Sequence, residues 1–471
     1  MARQLVLNPR SPGNTITRWL YEEIRQAILS GKLRRGSMLP ATRELAQTAG
    51  VSRHVVVNVY EQMVSEGYLA GEVGRGTFVR NDVPEDFLIP RSKPPTLGSG
   101  VAELPEGYGF PITPFRLTQP SLDDFPLHIW NRIASQAVRR TSVESLAGGQ
   151  WVGSKNLRAA IADYLGASRG VACTTDNIVI VSGTQQSLDL VTRLVIRPGD
   201  SVWLEDPCYI GATDAFRMAG ARIIAVPVDS DGLNPDKGRA LCGKPRAVYV
   251  TPAHQFGLGT TLSLDRRFAL LALCRQGTVL IEDDYDSEFR FVGRPLPAMK
   301  GMAGAESVFL LGTFNKTLFP ALRLGYMVVP DTWLEKLLAL RYRIDRYPPT
   351  LSQEILTRFI DDGHYGRHLR RMRQLYGERR AVLAQEVGRS LGGILQLPSI
   401  DAGLSTPAYL LGKMGSARAS QLAAGEGVEA WPIDRYVIQR RDLKALMLGF
   451  ASFNEHQIRK GVRGLVRALA V

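Results

Sequence analysis

The sequence predicts an α/β protein in two unequal parts, a small helical module at the N-terminus and a large domain built on a buried parallel sheet. Three observations carry this. The chain has 471 residues and 45% hydrophobic content, which at about 150 residues per domain gives about three domains and ample material for a core. Eight prolines (Pro84, Pro90, Pro94, Pro95, Pro105, Pro111, Pro114, Pro120), with Gly98, Ser99 and Gly100 among them, break every apolar period between Asn81 and Pro120. Beyond that break, short runs rich in Val and Ile alternate with helical patterns, as strands joined by crossover helices do.

From Thr17 the residues Trp19, Leu20, Ile24, Ala27 and Ile28 fall on one face of a helix that Ser30 and Gly31 stop. LRRGSMLP then turns the chain. A second helix runs from Thr42 to Ala49 and ends at Gly50, which takes a left-handed cap; a third follows the N-cap Ser52 and reaches about Glu66. Two short helices joined by a tight Gly-containing turn make a helix-turn-helix. Val55, Val56, Val59, Tyr60 and Met63 form the buried stripe of the third helix. Ser52, Arg53, His54 and Asn58 are left outside, where a recognition helix meets base edges and phosphates. Arg43 on the preceding helix is a further candidate. AGEVGRGTFVR reads as a hairpin whose tip, with Arg75, Gly76 and Thr77, is a wing. Residues 1–80 carry +5, from eleven basic and six acidic residues, within a chain of net charge +13; both suit a polyanionic partner. The division expected is a DNA-binding module at 12–80, a Pro-rich linker at 81–118, semi-extended where prolines cluster, and a large domain at 119–471.

In the large domain the apolar runs 178–181, 201–204, 247–250, 278–281, 308–311 and 326–329 read as buried parallel strands. Three segments place polar chemistry at the carboxyl ends of such strands, where ligands of open α/β sheets bind. VIVSGTQQSLDLV runs strand, Gly-containing turn, helix, and its backbone N–H groups suit a phosphate. VLIEDDYDSEFRF ends a strand on Glu282, Asp283 and Asp284, followed by Tyr285 and Asp286. That cluster could take a metal, but it has no His neighbours; a carboxylate with a phenol two residues on equally suits a protonated ring nitrogen and a ring hydroxyl. FLLGTFNKTLFPALRLGYMVV places Lys316 in a turn after a strand, with Thr313 before it and Arg323 after. A desolvated lysine beside another cation loses proton affinity and can bond a carbonyl carbon.

Composition excludes several classes. A 22% charged and 8% aromatic content does not fit a mostly disordered chain, a collagen-like fibre or a disulfide scaffold. No uncharged apolar run approaches the roughly 18 residues of a membrane span. The first twenty residues lack a signal-peptide core, so a cytoplasmic protein is expected. Cys173, Cys208, Cys242 and Cys274 are widely spaced, which argues for packing and against a zinc site; no metal is expected.

RWLYEEIRQAILSGKLRRGSMLPATRELAQTAGVSRHVVVNVYEQMVSEGYLAGEVGRGTFV resembles a GntR-type winged helix over its whole length. Ala41 stands where that family has a serine that would close a capping box with Glu44, and Thr42 is the candidate substitute. The later segments resemble fold-type I pyridoxal-phosphate enzymes, the aspartate-aminotransferase-like group with large and small subdomains, over residues 119–471. This resemblance implies pyridoxal 5'-phosphate as cofactor. Gly183, Thr184 and Gln185 match the phosphate turn, Tyr209 the aromatic stacked on the pyridine ring, and Asp283 the partner of the ring nitrogen. Tyr285 matches the donor to the ring hydroxyl, Lys316 the catalytic lysine bonded to the cofactor, and Thr313 and Arg323 further phosphate contacts. His254 or Gln255 supplies a polar contact beside the ring, and Arg435 matches the arginine that grips an effector carboxylate.

Departures from that pattern are Gly257-Leu258, where Pro-Thr is usual and a looser turn is expected, Asn315 before the lysine, and Ser405 in place of a histidine. A GntR-type winged helix joined by a Pro-rich linker to an aminotransferase-like domain resembles the MocR subfamily of bacterial transcription regulators. That resemblance implies a homodimer that binds double-stranded promoter DNA and senses an amino compound or the cofactor itself. The alternative is an active aminotransferase with an accessory DNA-binding domain.

Overall fold

The computed structural model describes residues 7–10, 15–72, 74–84, 113–293 and 296–469. The chain divides into two compact units, residues 1–108 and 109–471. Residues 85–112, most of the expected linker, lie outside the described residues.

In the first unit α1 (Ile16–Leu29), α2 (Thr42–Ala49) and α3 (Arg53–Ser65) precede an antiparallel hairpin of β1 (Leu69–Glu72) and β2 (Gly76–Val79). Leu20, Ile24, Leu45, Val56, Val59 and Met63 meet in one core, while Val55 is only half-buried. The turn before α2 is itself a third edge of the wing: Gly36 N donates to Val79 O at 2.9 Å and Leu39 N to Thr77 O at 2.8 Å. Gly50 ends α2 at φ 65°, and the Ser52 hydroxyl accepts from Val55 N at the start of α3. Thr42 does not replace the missing cap. Ala41 is the N-cap and makes no side-chain bond, because Thr42 already lies inside the helix with its hydroxyl accepting from Arg53 Nε at 3.4 Å.

Gly50→Ala should therefore lower the stability of this unit by about 1 kcal/mol, since a Cβ disfavours the left-handed region. Gly50→Asn should cost less. The midpoints of thermal unfolding of the two variants check this.

The second unit holds an eight-stranded sheet: β3 (Ile178–Val181), β4 (Ser201–Asp206), β5 (Arg222–Asp229), β6 (Gly232–Leu233), β7 (Ala247–Val250), β8 (Val279–Asp284), β9 (Val308–Thr313) and β10 (Gly325–Val328). Their order is β3-β10-β9-β8-β7-β4-β5-β6. Two differences from the sequence reading stand out. The run at 326–329 is not a parallel strand: β10 is antiparallel to both β3 and β9, because the short connection after β9 holds no crossover helix and brings the chain straight back. Strand β5 escaped the reading because Pro227 interrupts it and its burial is mixed.

Alternate residues of the central strands pack on opposite faces, Val202 and Leu204 against one helical layer and Trp203 against the other. Burial on both faces is why the runs are continuously apolar. A second, wholly antiparallel sheet, β11 (Leu395–Gln396), β12 (Ser405–Leu410), β13 (Trp431–Pro432) and β14 (Ala445–Gly449), lies in the order β11-β12-β14-β13. No helix among the described residues is long and apolar enough to cross a membrane.

Candidate functional site

Strands β3, β4, β7, β8 and β9 all run the same way, so their carboxyl ends form one rim. Every cofactor residue expected from the sequence, except Arg323, follows or ends one of these strands. After β3, Gly183 is the N-cap of helix Thr184–Val195 at φ 138° and makes no side-chain cap. A Cβ on Gly183 would come within 2.9 Å of Asn315 Nδ2. The first backbone N–H groups of this helix thus face outward beside Thr184 and Gln185, as an anion requires. After β4, Tyr209 is half-buried, with its ring centroid 5.5 Å from that of Phe256 and its hydroxyl 3.4 Å from Gln185 Oε1.

At the end of β8 the Asp283 carboxylate is buried, 4% exposed. Its Oδ2 accepts from Tyr249 OH at 2.7 Å, while Oδ1 has no hydrogen-bond partner among the described residues. Burial lifts the carboxyl to about 7, with Asp284 and Asp286 adding to the rise and Tyr249 and Lys316 opposing it. Tyr285 OH donates to His254 O at 3.0 Å, and His254 Nδ1 lies 2.9 Å from Asp286 Oδ2. Gln255 is spent on the loop: its Nε2 donates to Pro207 O at 2.8 Å and its Oε1 accepts from Leu258 N at 2.9 Å. The turn at Gly257-Leu258 is therefore held firmly and is not looser as expected; Gly257, at φ 107°, lies so close to Pro207 that a Cβ would meet it at 2.9 Å.

Thr313, buried, ends β9, and three residues on comes Lys316, whose Nζ donates to Thr118 O at 3.0 Å and to Thr118 Oγ1 at 3.1 Å. Crowding by protein pushes the Lys316 pKa down from 10.5 to about 8, against the pull of Asp286 and Asp283. Arg323 is exposed, in the left-handed region at φ 52°. A small cavity in this unit is lined by Leu117, His254, Phe256, Tyr285, Ser405 and Met447, among others. Arg435 is not among its lining residues: it is exposed, and its guanidinium lies over the Trp431 ring at 4.0 Å. The structure also brings in residues the sequence reading missed, notably Tyr249, Thr118 and Phe256. Tyr249 carried no local signal, since it sits inside an apolar strand.

The residues fit pyridoxal phosphate on two counts. Asp283 Oδ1 is a buried acceptor without a donor, a costly state that a protonated ring nitrogen would relieve. Asn315 and the side-chain-free Gly183 leave a backbone cradle at the start of the helix for a phosphate. Because the neutral amine is the nucleophile, the cofactor-free chain should react with the pyridoxal phosphate aldehyde at a rate that rises with pH through about 8. Stopped-flow absorbance against pH checks this; a rise centred near the ordinary lysine value would contradict it.

In the first unit Arg43, Ser52, Arg53, His54, Asn58, Arg75 and Gly76 are exposed and Thr77 is half-buried. The contacts that hold their side chains are few and local: Arg75 to Glu72 at 2.7 Å, Arg53 Nε to the Thr42 hydroxyl, Asn58 Nδ2 to His54 Nε2 and Val55 N to the Ser52 hydroxyl, the last three at 3.4 Å.

Comparison with known proteins finds a family match in each unit. Residues 17–79 match the model of bacterial regulatory proteins of the gntR family, and residues 125–402 that of aminotransferase class I and II. The chain is 37% identical over 459 residues to the probable rhizopine catabolism regulatory protein MocR of Rhizobium meliloti, covering 95% of this chain and 92% of the relative. It is 30% identical to the HTH-type pyridoxine biosynthesis transcriptional regulator PdxR of Corynebacterium glutamicum, over 97% and 96% of the two chains. Among solved structures, LysN, an alpha-aminoadipate aminotransferase from Thermus thermophilus complexed with N-(5'-phosphopyridoxyl)-L-leucine, superposes with a TM-score of 0.71 at 28% identity, covering 76% of this chain and 92% of that one. The chain belongs to the aminotransferase class I and II family and, through its gntR-family N-terminus, to the MocR-like GntR-type transcription regulators.

Proposed function

We propose that this protein is a pyridoxal-phosphate-dependent transcription regulator. Its winged helix, residues 12–80, binds promoter DNA, and residues 119–471 sense an amino compound or the cofactor itself. One observation carries the reading: a single chain joins an exposed, lightly held recognition face at Ser52, Arg53, His54 and Asn58 to a crowded lysine with a depressed pKa beside an unpaired carboxylate oxygen.

When bound, pyridoxal phosphate supplies an aldehyde that bonds amines and a ring that withdraws electrons. The chain's part is to hold and orient it. Gly183, Thr184, Gln185, Thr313 and Arg323 would hold the phosphate, Asp283 would keep the ring nitrogen protonated, Tyr285 would donate to the ring hydroxyl once its O–H turned from His254 O, and Tyr209 would cover a ring face. His254, braced by Asp286, closes one side of the cavity. Lys316 gives up its proton readily because burial already disfavours the ammonium. An amine that competed with Lys316 for the aldehyde would alter DNA binding only through a difference in its affinity for two arrangements of the protein. Arg435 meets an effector carboxylate only if its side chain leaves Trp431, so Arg435→Ala is expected to weaken an acidic effector and spare a neutral amine.

A homodimer in the cytoplasm completes the proposal. It is supported by an apolar surface on the second unit: Trp151, Tyr342, Ile344, Tyr347 and Leu351 are each at least 40% exposed, and the Trp151 and Tyr342 ring centroids lie 5.1 Å apart. A surface of this kind is normally covered in soluble proteins. Trp151→Lys with Tyr342→Glu should convert a dimer into a monomer in light scattering at micromolar concentration; a monomeric wild type would contradict the dimer.

The test of the function is turnover against response. A panel of amino donors and keto acids should yield little multiple-turnover keto acid, while one of the amines changes DNA binding. Rapid turnover, with DNA binding indifferent to the same amines, would favour the aminotransferase alternative.

A further inference from the structure

We propose that Thr118 is a positioning residue that grips the free amine of Lys316, so that the stretch 113–121 tightens or loosens according to whether that amine is bonded to the cofactor. The inference rests on the assignment of Lys316 as the cofactor lysine.

Both oxygens of Thr118 accept from one Nζ, the carbonyl at 3.0 Å and the hydroxyl at 3.1 Å. Thr118 itself sits at φ 51°. A β-branched residue holds that left-handed conformation only when its surroundings enforce it, and the two hydrogen bonds from Lys316 Nζ are among the contacts that hold it here. The neighbouring residues are anchored on either side. Phe115 is fully buried and its carbonyl accepts from Gly449 N at 2.8 Å. Arg116 Nε pairs with Glu429 at 2.8 Å, and Ser121 N donates to the Tyr376 hydroxyl at 2.9 Å. Thr118 is thus the strained centre of a strap whose ends are fixed, and Leu117 beside it lines the cavity. In sequence this strap takes in the last residues of the expected linker, 81–118, and it begins where the described chain resumes at residue 113.

The chemistry of Lys316 decides how well the strap is held. When the amine condenses with the cofactor aldehyde, a C=N bond forms, and water leaves with the carbonyl oxygen and two amine hydrogens. Of the three donors of the ammonium at most one remains, so Thr118 loses at least one of its two bonds. When an arriving amine takes over the carbon, the C=N bond to Lys316 breaks and one to the newcomer forms. The two hydrogens of the newcomer pass to Nζ, which can grip Thr118 again. Cofactor and amine therefore drive the strap in opposite directions.

Hydrogen exchange on the full-length chain tests this at the Arg116, Ser121 and Gly449 amides. Loading with pyridoxal phosphate alone should speed their exchange about tenfold, the scale of one lost charged hydrogen bond. Lys316→Met without cofactor should show the same acceleration. Thr118→Gly, which accepts the backbone conformation and keeps the carbonyl but lacks the hydroxyl, should take up cofactor with the normal visible absorbance while exchange depends on loading less than in the wild type. Wild-type exchange unchanged at full absorbance would overturn the proposal. So would unaccelerated exchange in the cofactor-free Lys316→Met chain. That arm needs no cofactor, so failure of the cofactor assignment, seen as no colour on loading, is read separately.

Discussion

Lys316→Ala should leave the protein colourless after incubation with pyridoxal phosphate and dialysis, with cofactor affinity lowered about a hundredfold or more, equivalent to about 2.7 kcal/mol. The size of the effect follows from what is removed. Lys316 carries the crowded amine, with a pKa near 8, that stands beside Asp283 at the rim of the sheet; without it, only the non-covalent contacts of the cradle remain. Lys316→Arg should be equally colourless, because a guanidinium keeps its charge and cannot condense with the aldehyde. Absorbance spectra and equilibrium dialysis check both variants. Each should still bind DNA, since the recognition helix belongs to a separate compact unit.

Arg53→Ala combined with Arg75→Ala should weaken binding to a selected DNA site by about 2–6 kcal/mol and lower the dependence of log affinity on log salt by about one for each lost phosphate contact. Both side chains are exposed and easily recruited. Arg53 has only a 3.4 Å contact with Thr42, and Arg75 pairs with Glu72 on the surface, where an ion pair is worth at most about 1 kcal/mol. Little is therefore given up when a phosphate replaces these partners. The cofactor spectrum of the double variant should be that of the wild type. Fluorescence anisotropy at several salt concentrations supplies both numbers.

The parts legible in the sequence are those with local causes. Helix α2 begins and ends where the sequence places it, because Gly50 takes the left-handed cap and Ser52 restarts the helix within two residues. The rim of the sheet is legible for a similar reason: each cofactor residue except Arg323 follows an apolar run by a few positions, and the strands aim them alike. What depends on distant partners is not legible. The direction of β10 is set by how the chain returns after β9, and β5 is masked by Pro227. The firmness of the Gly257 turn comes from Gln255 and Pro207, the latter 50 residues earlier in sequence. The regulator reading stands on the gntR-family unit and on the family of the whole chain. Arg435 and Thr118 mark the same limit. The resemblance places Arg435 against a carboxylate, whereas local packing lays it on Trp431; Thr118 reaches Lys316 across 198 residues, with no motif to announce it.

The central claim is that one chain couples the chemistry of Lys316 to DNA binding. It is tested most directly by measuring the affinity of the full-length protein for a DNA fragment that it selects from a random-sequence library, without cofactor, with pyridoxal phosphate, and with pyridoxal phosphate plus each member of a panel of amines. The account predicts an affinity that changes severalfold or more between these states in the wild type and stays constant across them in Lys316→Ala. Tight binding of equal strength in every state of the wild type, or a response that survives in Lys316→Ala, would contradict it.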